Sequence, residues 1–170
     1  FAHTPEPKAE NLEGLCDAVV GFDADIGFAQ DPDADRLAII DEFGCYIGEE
    51  YTLALAATRW FELHPDSSAA TNLSTSRMID DIAAKHGCTV YRSAVGEANV
   101  AGVMQKQNCV IGGEGNGGII LPKVCWVRDS LAGMAITLDL LRTRESRLSG
   151  IVKSIDHYDM IKKTIDLADS

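Results

Sequence analysis

The chain has 170 residues, 46% hydrophobic and 24% charged, enough for one domain or for one domain with part of another. No run approaches the roughly 20 apolar residues of a spanning helix, and Phe1 to Pro7 has neither the basic start nor the apolar core of a secretory signal. The formal net charge of -11 is uneven, with 13 acidic residues against only Lys8 and Arg36 in residues 1–50, and so acidic a surface excludes nucleic acid and anionic membranes as partners.

The lack of an initiator Met reads as a chain cut from something larger. Cys16, Cys45, Cys88, Cys109 and Cys125 are odd in number and form no Cys-x-x-Cys pair, which disfavours both a disulfide framework and a zinc site. They read as buried thiols in a reducing cytoplasm, where the Asn72-Leu73-Ser74 sequon is idle.

In chain order, Leu12, Leu15, Cys16, Val19 and Val20 have helical spacing within a segment from Ala9 to Val20. The apolar segment Ile26 to Ala29, the loop Asp31-Pro32-Asp33-Ala34-Asp35-Arg36 and the apolar run 37–40 then read as strand, loop, strand. Turn chemistry at Asp41-Glu42-Phe43-Gly44 precedes a possible short strand at Tyr46-Ile47. A helix is expected from Glu49 to Leu63, closed before Pro65, because proline disfavours helical geometry in the residue preceding it. After it come strand 69–73, helix 76–86, strand 89–92, helix 98–107, strand 109–112, a glycine-rich loop, strand 119–121 and helix 130–143. Strands alternating with helices imply crossover units, hence an α/β fold with a mainly parallel or mixed sheet covered by helices on both faces. The expected division is residues 1–48 as part of one α/β domain, 49–144 as a second domain, and 145–170 as a connector ending in a strand-like segment over 160–165.

Asp31, Asp33 and Asp35 are costly neighbours, since each raises the pKa of the others unless a cation compensates. Alternate side chains in a turn between strands can converge, and a small all-oxygen set suits magnesium. Arg36 can hold a phosphate oxygen or pair with a spare carboxylate. A calcium loop of the EF-hand type is a competing reading, with Glu42 at its twelfth position, although Arg36 stands where such a loop needs glycine. The run from Gly112 to Gly118 lets backbone approach a ligand closely and spaces Glu114 and Asn116 one residue apart. A carboxylate and an amide so placed can read sugar hydroxyls, and a tight structural turn is the competing reading. Ser74 to Arg77 reads as the N-cap of the helix that follows, and Asp129 as the N-cap of helix 130–143.

Taken in order, Pro5-Glu6-Pro7 with Asn11-Leu12, Ala24 to Ala29, the aspartate loop, Val95-Gly96-Glu97 and Gly113 to Gly118 resemble the alpha-D-phosphohexomutase superfamily. The resemblance implies the end of its second domain, its third domain and a connector toward a fourth. It further implies Mg2+ on Asp31, Asp33 and Asp35 beside a phosphoserine, Arg36 as a catalytic arginine, and Glu114 and Asn116 as hexose-phosphate contacts. Pro32 replaces the family's usual glycine. The implied reaction interconverts hexose 1-phosphate and 6-phosphate through a bisphosphate. Neither the family's Ser-His-Asn loop nor its Arg-rich phosphate loop occurs here, so these residues alone are expected to be inactive without the remaining domains of a parent chain. The alternatives are a stand-alone Mg2+ or calcium module and a haloacid-dehalogenase-like phosphatase.

Overall fold

In the computed structural model, which describes residues 4–160, a 3-10 turn at Ala9–Asn11 precedes helix α1, Glu13–Gly21. The helix expected from Ala9 to Val20 is thus broken at Leu12, which stands between the two elements with φ of -110° and ψ of 2°. Strands β1, Ile26–Gln30, and β2, Leu37–Asp41, pair antiparallel, with Gln30 opposite Leu37. The aspartate loop is therefore the tip of a hairpin. At the far end of β2, Asp41 Oδ1 accepts from the Phe43 and Cys45 backbone N–H groups and Gly44 adopts φ of +76°, a turn that leaves Tyr46 only a single bridge to Ile40.

Helix α2, Glu49–Leu63, has the expected bounds, with acids in its first turn where the helix dipole favours them. Strand β3, Ser68–Asn72, helix α3, Met78–Lys85, strand β4, Thr89–Ser93, and helix α4, Glu97–Gln107, follow. Strands β5, Ile111–Glu114, and β6, Gly118–Ile120, then form a hairpin before helix α5, Ser130–Arg142. The four strands lie in the order β4-β3-β5-β6, parallel except for the antiparallel β5-β6 pair, so the sheet is mixed. The connector carries one further helix, α6, Leu148–Lys153. The strand-like segment expected there lies, from Ile161 onward, outside the described residues.

Alternation along the strands distributes the helices. Ala69, Ile111 and Ile119 pack with Leu53, Ala57, Ile79, Ile82 and Ile136 of α2, α3 and α5. Ala70 and Ile120 meet Val100 and Met104 of α4 on the opposite face. Both faces are covered, which is why these strands read as apolar runs. Strand β2 is buried throughout: Leu37 and Ile39 pack with Leu55, Leu140, Leu148 and Ile151, while Ala38 and Ile40 pack with Leu12 and Val19. All five cysteines are free, but only Cys109 is fully buried and Cys45 is exposed. The expectation of buried thiols thus holds for one. Among the described residues, no helix is long and apolar enough to cross a membrane.

Two local expectations are corrected. The glycine-rich segment is mostly strand: Gly112 to Glu114 belong to β5 and Gly118 to β6, leaving residues 115–117 as the turn. Glycine is depleted in strands generally, yet here a Cβ at Gly112 would lie 2.3 Å from Met104 Sδ, so close helix packing selects it. Ser74 to Arg77 do not cap α3 through a side chain. Instead Arg92 holds that loop, donating to the carbonyls of Asn72, Thr75 and Ser76 at 2.6 to 3.1 Å and pairing with Asp80.

Candidate functional site

The aspartate loop converges as its spacing suggests. Ala34, in the left-handed region at φ of +59°, closes a turn in which its N–H donates to the Asp31 carbonyl. One carboxylate oxygen from each of Asp31, Asp33 and Asp35 lies within 4.8 Å of the others, the one such group of possible metal ligands among the described residues. Asp31 is buried, and its Oδ1 accepts from the N–H groups of Asp35 at 3.1 Å and Arg36 at 3.0 Å. Arg36 Nε donates to Asp31 Oδ2 at 2.8 Å, and its guanidinium also reaches Glu6 at 3.1 Å. Glu42 bonds Ser149 at the start of α6 and is not with the aspartates. That geometry removes the EF-hand reading, which needs Glu42 as a ligand.

Burial is the largest influence on both inner aspartates. In Asp31 the Arg36 N–H and the Asp35 and Arg36 side chains outweigh burial and hold the carboxyl below its usual value. In Asp35, burial together with the Asp31 hydrogen bond and the charges of Asp31 and Asp33 outweighs Arg128 and pushes the pKa up to about 6. Such a crowded set of oxygen donors fits a hard divalent cation, whose charge offsets the repulsion. A raised native pKa gives a stability contribution that is present below the unfolded value of 3.8 and lost as pH rises through about 6. In EDTA at pH 7 to 8, Asp35→Asn is therefore expected to unfold at higher denaturant than wild type, by on the order of 1–2 kcal/mol, with the gap closing toward pH 4. Equal or lower stability of the variant in a pH series of melts would contradict this.

A cleft of about 420 Å³ opens at the carboxyl ends of β3 and β5, and Arg36, Asn72, Glu114, Asn116 and Arg128 line it. That end of a parallel sheet is where α/β folds commonly bind ligands. Glu114 is only 5% exposed, and both its oxygens are engaged. Oε1 accepts from Asn72 Nδ2 at 2.6 Å and Gly96 N–H at 3.2 Å, while Oε2 pairs with Arg128 at 3.1 Å. Asn116 lies in the turn, where its Oδ1 accepts from the Gly118 N–H. Below the turn, Thr75 Oγ1 accepts from Gly115 N–H at 2.9 Å and donates to Asn72 Oδ1 at 2.8 Å. Glu50 Oε2 accepts from the Ser76 N–H, and a Cβ at Gly115 would stand 2.2 Å from Glu50 Oε1. The two hairpins also touch, Leu37 N–H donating to Gly117 O at 3.1 Å, and the start of α5 reaches the aspartate loop, Ser130 N–H donating to Ala34 O at 3.1 Å.

The structure thus brings Arg36, Glu114 and Asn116 to one cleft, and the aspartate loop meets its lining where Asp31 bonds Arg36 and Asp35 pairs with Arg128. Sequence reasoning passed over Asn72, read there only as part of an idle sequon, and named Glu97 only within a motif. A polar residue ending a buried parallel strand was the available signal for Asn72. Asp129 caps α5 as expected, its Oδ1 accepting from Leu131 and Ala132 N–H. A larger hollow of about 780 Å³, lined by Leu138, Leu141, Arg142, Arg144 and Arg147, holds none of the expected site residues.

Comparison with known proteins bears on this geometry. The family model described as phosphoglucomutase/phosphomannomutase, alpha/beta/alpha domain III, matches residues 48–158, and that for domain II matches residues 1–44. A probable phosphoglucosamine mutase of Methanopyrus kandleri is 36% identical over 165 residues, covering 97% of this chain and 36% of that protein. A phosphoglucomutase/phosphomannomutase of Thermococcus kodakarensis is 36% identical over 161 residues, covering 95% of this chain and 35% of that protein. The chain therefore spans about a third of the length of these relatives. A crystal structure of a putative phosphomannomutase from Thermus thermophilus superposes with a TM-score of 0.83 at 23% identity, over 90% of this chain and 35% of the other, a likeness of fold.

Proposed function

The chain belongs to the phosphoglucomutase/phosphomannomutase family, and from that premise we propose that it is the metal- and sugar-binding portion of a magnesium-dependent hexose-phosphate mutase. The observation that carries this reading is the placement of three convergent aspartates beside a cleft that ends in Glu114 and Asn116. Asp31, Asp33 and Asp35 would hold Mg2+, which when bound neutralises charge on a transferring phosphoryl group. Arg36, whose guanidinium lines the cleft while holding Asp31, is the candidate phosphate contact. Glu114 is the hydroxyl acceptor, fixed by Asn72 and Gly96 so that little reorganisation accompanies binding. Asn116 offers its amide from a turn anchored by the Gly115 N–H bond to Thr75 Oγ1.

We infer a division into residues 1–48, 49–144 and 145–170; the positive φ of Gly48 ahead of α2 and the break between the two family matches support its first boundary, while the second match runs on past the other boundary to residue 158. The partners in this reading are a hexose phosphate and the remaining domains of a longer chain, and five free cysteines favour a reducing, cytoplasmic setting. The test is an assay of the full-length protein with glucose, mannose and glucosamine phosphates. It should interconvert at least one 1-phosphate with its 6-phosphate in Mg2+, lose that turnover in EDTA, and show none when reduced to residues 1–170. No turnover with any of the three would overturn the mutase reading.

A further inference from the structure

Three segments set apart in the sequence meet on one side chain. Arg128, the second residue before α5, is 16% exposed and pairs with Asp35 of the aspartate loop, with Glu97 Oε2 at 3.1 Å, and with Glu114 Oε2 at 3.1 Å. Its own backbone N–H donates to the same Glu97 oxygen at 2.9 Å. Room for its stem comes from the hairpin, since a Cβ at Gly118 would stand 2.2 Å from Arg128 Cδ. A guanidinium spreads five donors over three nitrogens in a rigid plane, so it can hold three carboxylates at separate points, whereas an ammonium offers its three donors from a single nitrogen on a flexible stem. No other cation contacts Glu114 or Glu97 among the ion pairs of the described residues.

We propose that Arg128 is a positioning residue that couples the aspartate loop to the sugar hairpin: it supplies the counter-charge to Asp35 in the metal-free chain, and holds Glu114 for substrate once Asp35 is engaged by a cation. The inference rests on the metal reading given above. Both arrangements use the same guanidinium, so whatever draws Asp35 away concentrates Arg128 on Glu97 and Glu114. Coupling of this kind is reciprocal, because two claims on one group compete in binding free energy. Arg128 thus opposes cation binding in two ways, by occupying Asp35 and by placing a positive charge beside it. A side chain that merely braced the loop would have the opposite effect, since its removal would loosen the ligands.

Calorimetric titration of residues 1–170 with MgCl2 separates the two roles by sign. Arg128→Met is expected to bind Mg2+ about fivefold more tightly than wild type. Equal or weaker binding by a folded Arg128→Met overturns the coupling while leaving the metal site standing. Absence of Mg2+ binding by wild type overturns the metal reading, and the coupling with it. Should Arg128→Met fail to fold, Arg128→Lys is followed by amide NMR. The Gly96 N–H, bonded to Glu114, is expected to shift with Mg2+ in wild type and to stay still in Arg128→Lys while the Asp35 amide shifts in both. A Gly96 response that persists unchanged in Arg128→Lys overturns the proposal.

Discussion

Gly113→Ala is expected to destabilise the chain by roughly 4 kcal/mol, combining backbone strain and overpacking at one buried position. Gly113 adopts φ of +157°, which L side chains rarely do, and an added Cβ would stand 2.2 Å from the Gly118 carbonyl oxygen across the hairpin. That neighbour is backbone, held in the β5-β6 pairing, and cannot swing aside. The Gly113 carbonyl also accepts from Thr71 Oγ1 at 2.8 Å, so a shift there disturbs the buried Thr71–Thr75–Asn72 network beneath Glu114. Gly102, on the exposed side of α4 where an added Cβ would meet nothing within 4 Å, is the control: Gly102→Ala should stabilise by about 0.5–1 kcal/mol. Urea unfolding of both variants checks the pair, and a Gly113→Ala chain as stable as wild type would contradict the described hairpin.

Asp31→Asn is expected to weaken Mg2+ binding at least ~100-fold, because losing a ligand costs more than the roughly 10- to 100-fold typical of losing a ligand's outer partner. Asp31 is the aspartate held in place on every side, by two backbone N–H groups and by Arg36. Asparagine can keep the backbone bonds through its Oδ1, so the loss isolates charge and coordination from loop geometry. Asp33 is exposed, and Asp33→Asn should cost less, on the order of tenfold. Glu42→Gln should leave binding unchanged, because Glu42 is engaged with Ser149. Calorimetry on the four chains gives the ranking, and full affinity in Asp31→Asn would contradict the metal assignment.

The elements were legible where local chemistry and packing agree. Helix α2 was readable because Glu49 and Glu50 start it and Pro65 forces its end. The aspartate hairpin was readable because apolar runs flank a turn whose side chains alternate. The two strands of the β5-β6 hairpin were expected, but not their extension through the glycines, which are chosen by distant partners: Met104 over Gly112, the facing backbone at Gly113, Glu50 under Gly115. Local propensity carries no record of such contacts. The same holds for the site. Asp31, Asp33, Asp35, Glu114 and Asn116 announce themselves by charge repulsion or glycine spacing, whereas Asn72, Glu97 and Arg128 act through partners 14 to 93 residues away, and their local signals, a strand end, a short motif and a place after the last strand, do not say which partners they hold. Ser74 to Arg77 misled for a related reason: a serine-rich start to a helix resembles a cap, yet Asn72 Oδ1 and Arg92 already claim its polar groups.

The most direct test of the account is diffraction from crystals grown with Mn2+ in place of Mg2+, measured for anomalous signal. A single strong peak is expected in contact with oxygens of Asp31, Asp33 and Asp35, with Arg128 turned from Asp35 toward Glu97 and Glu114. A crystal with no peak at that loop, or with its ion held elsewhere, would contradict it.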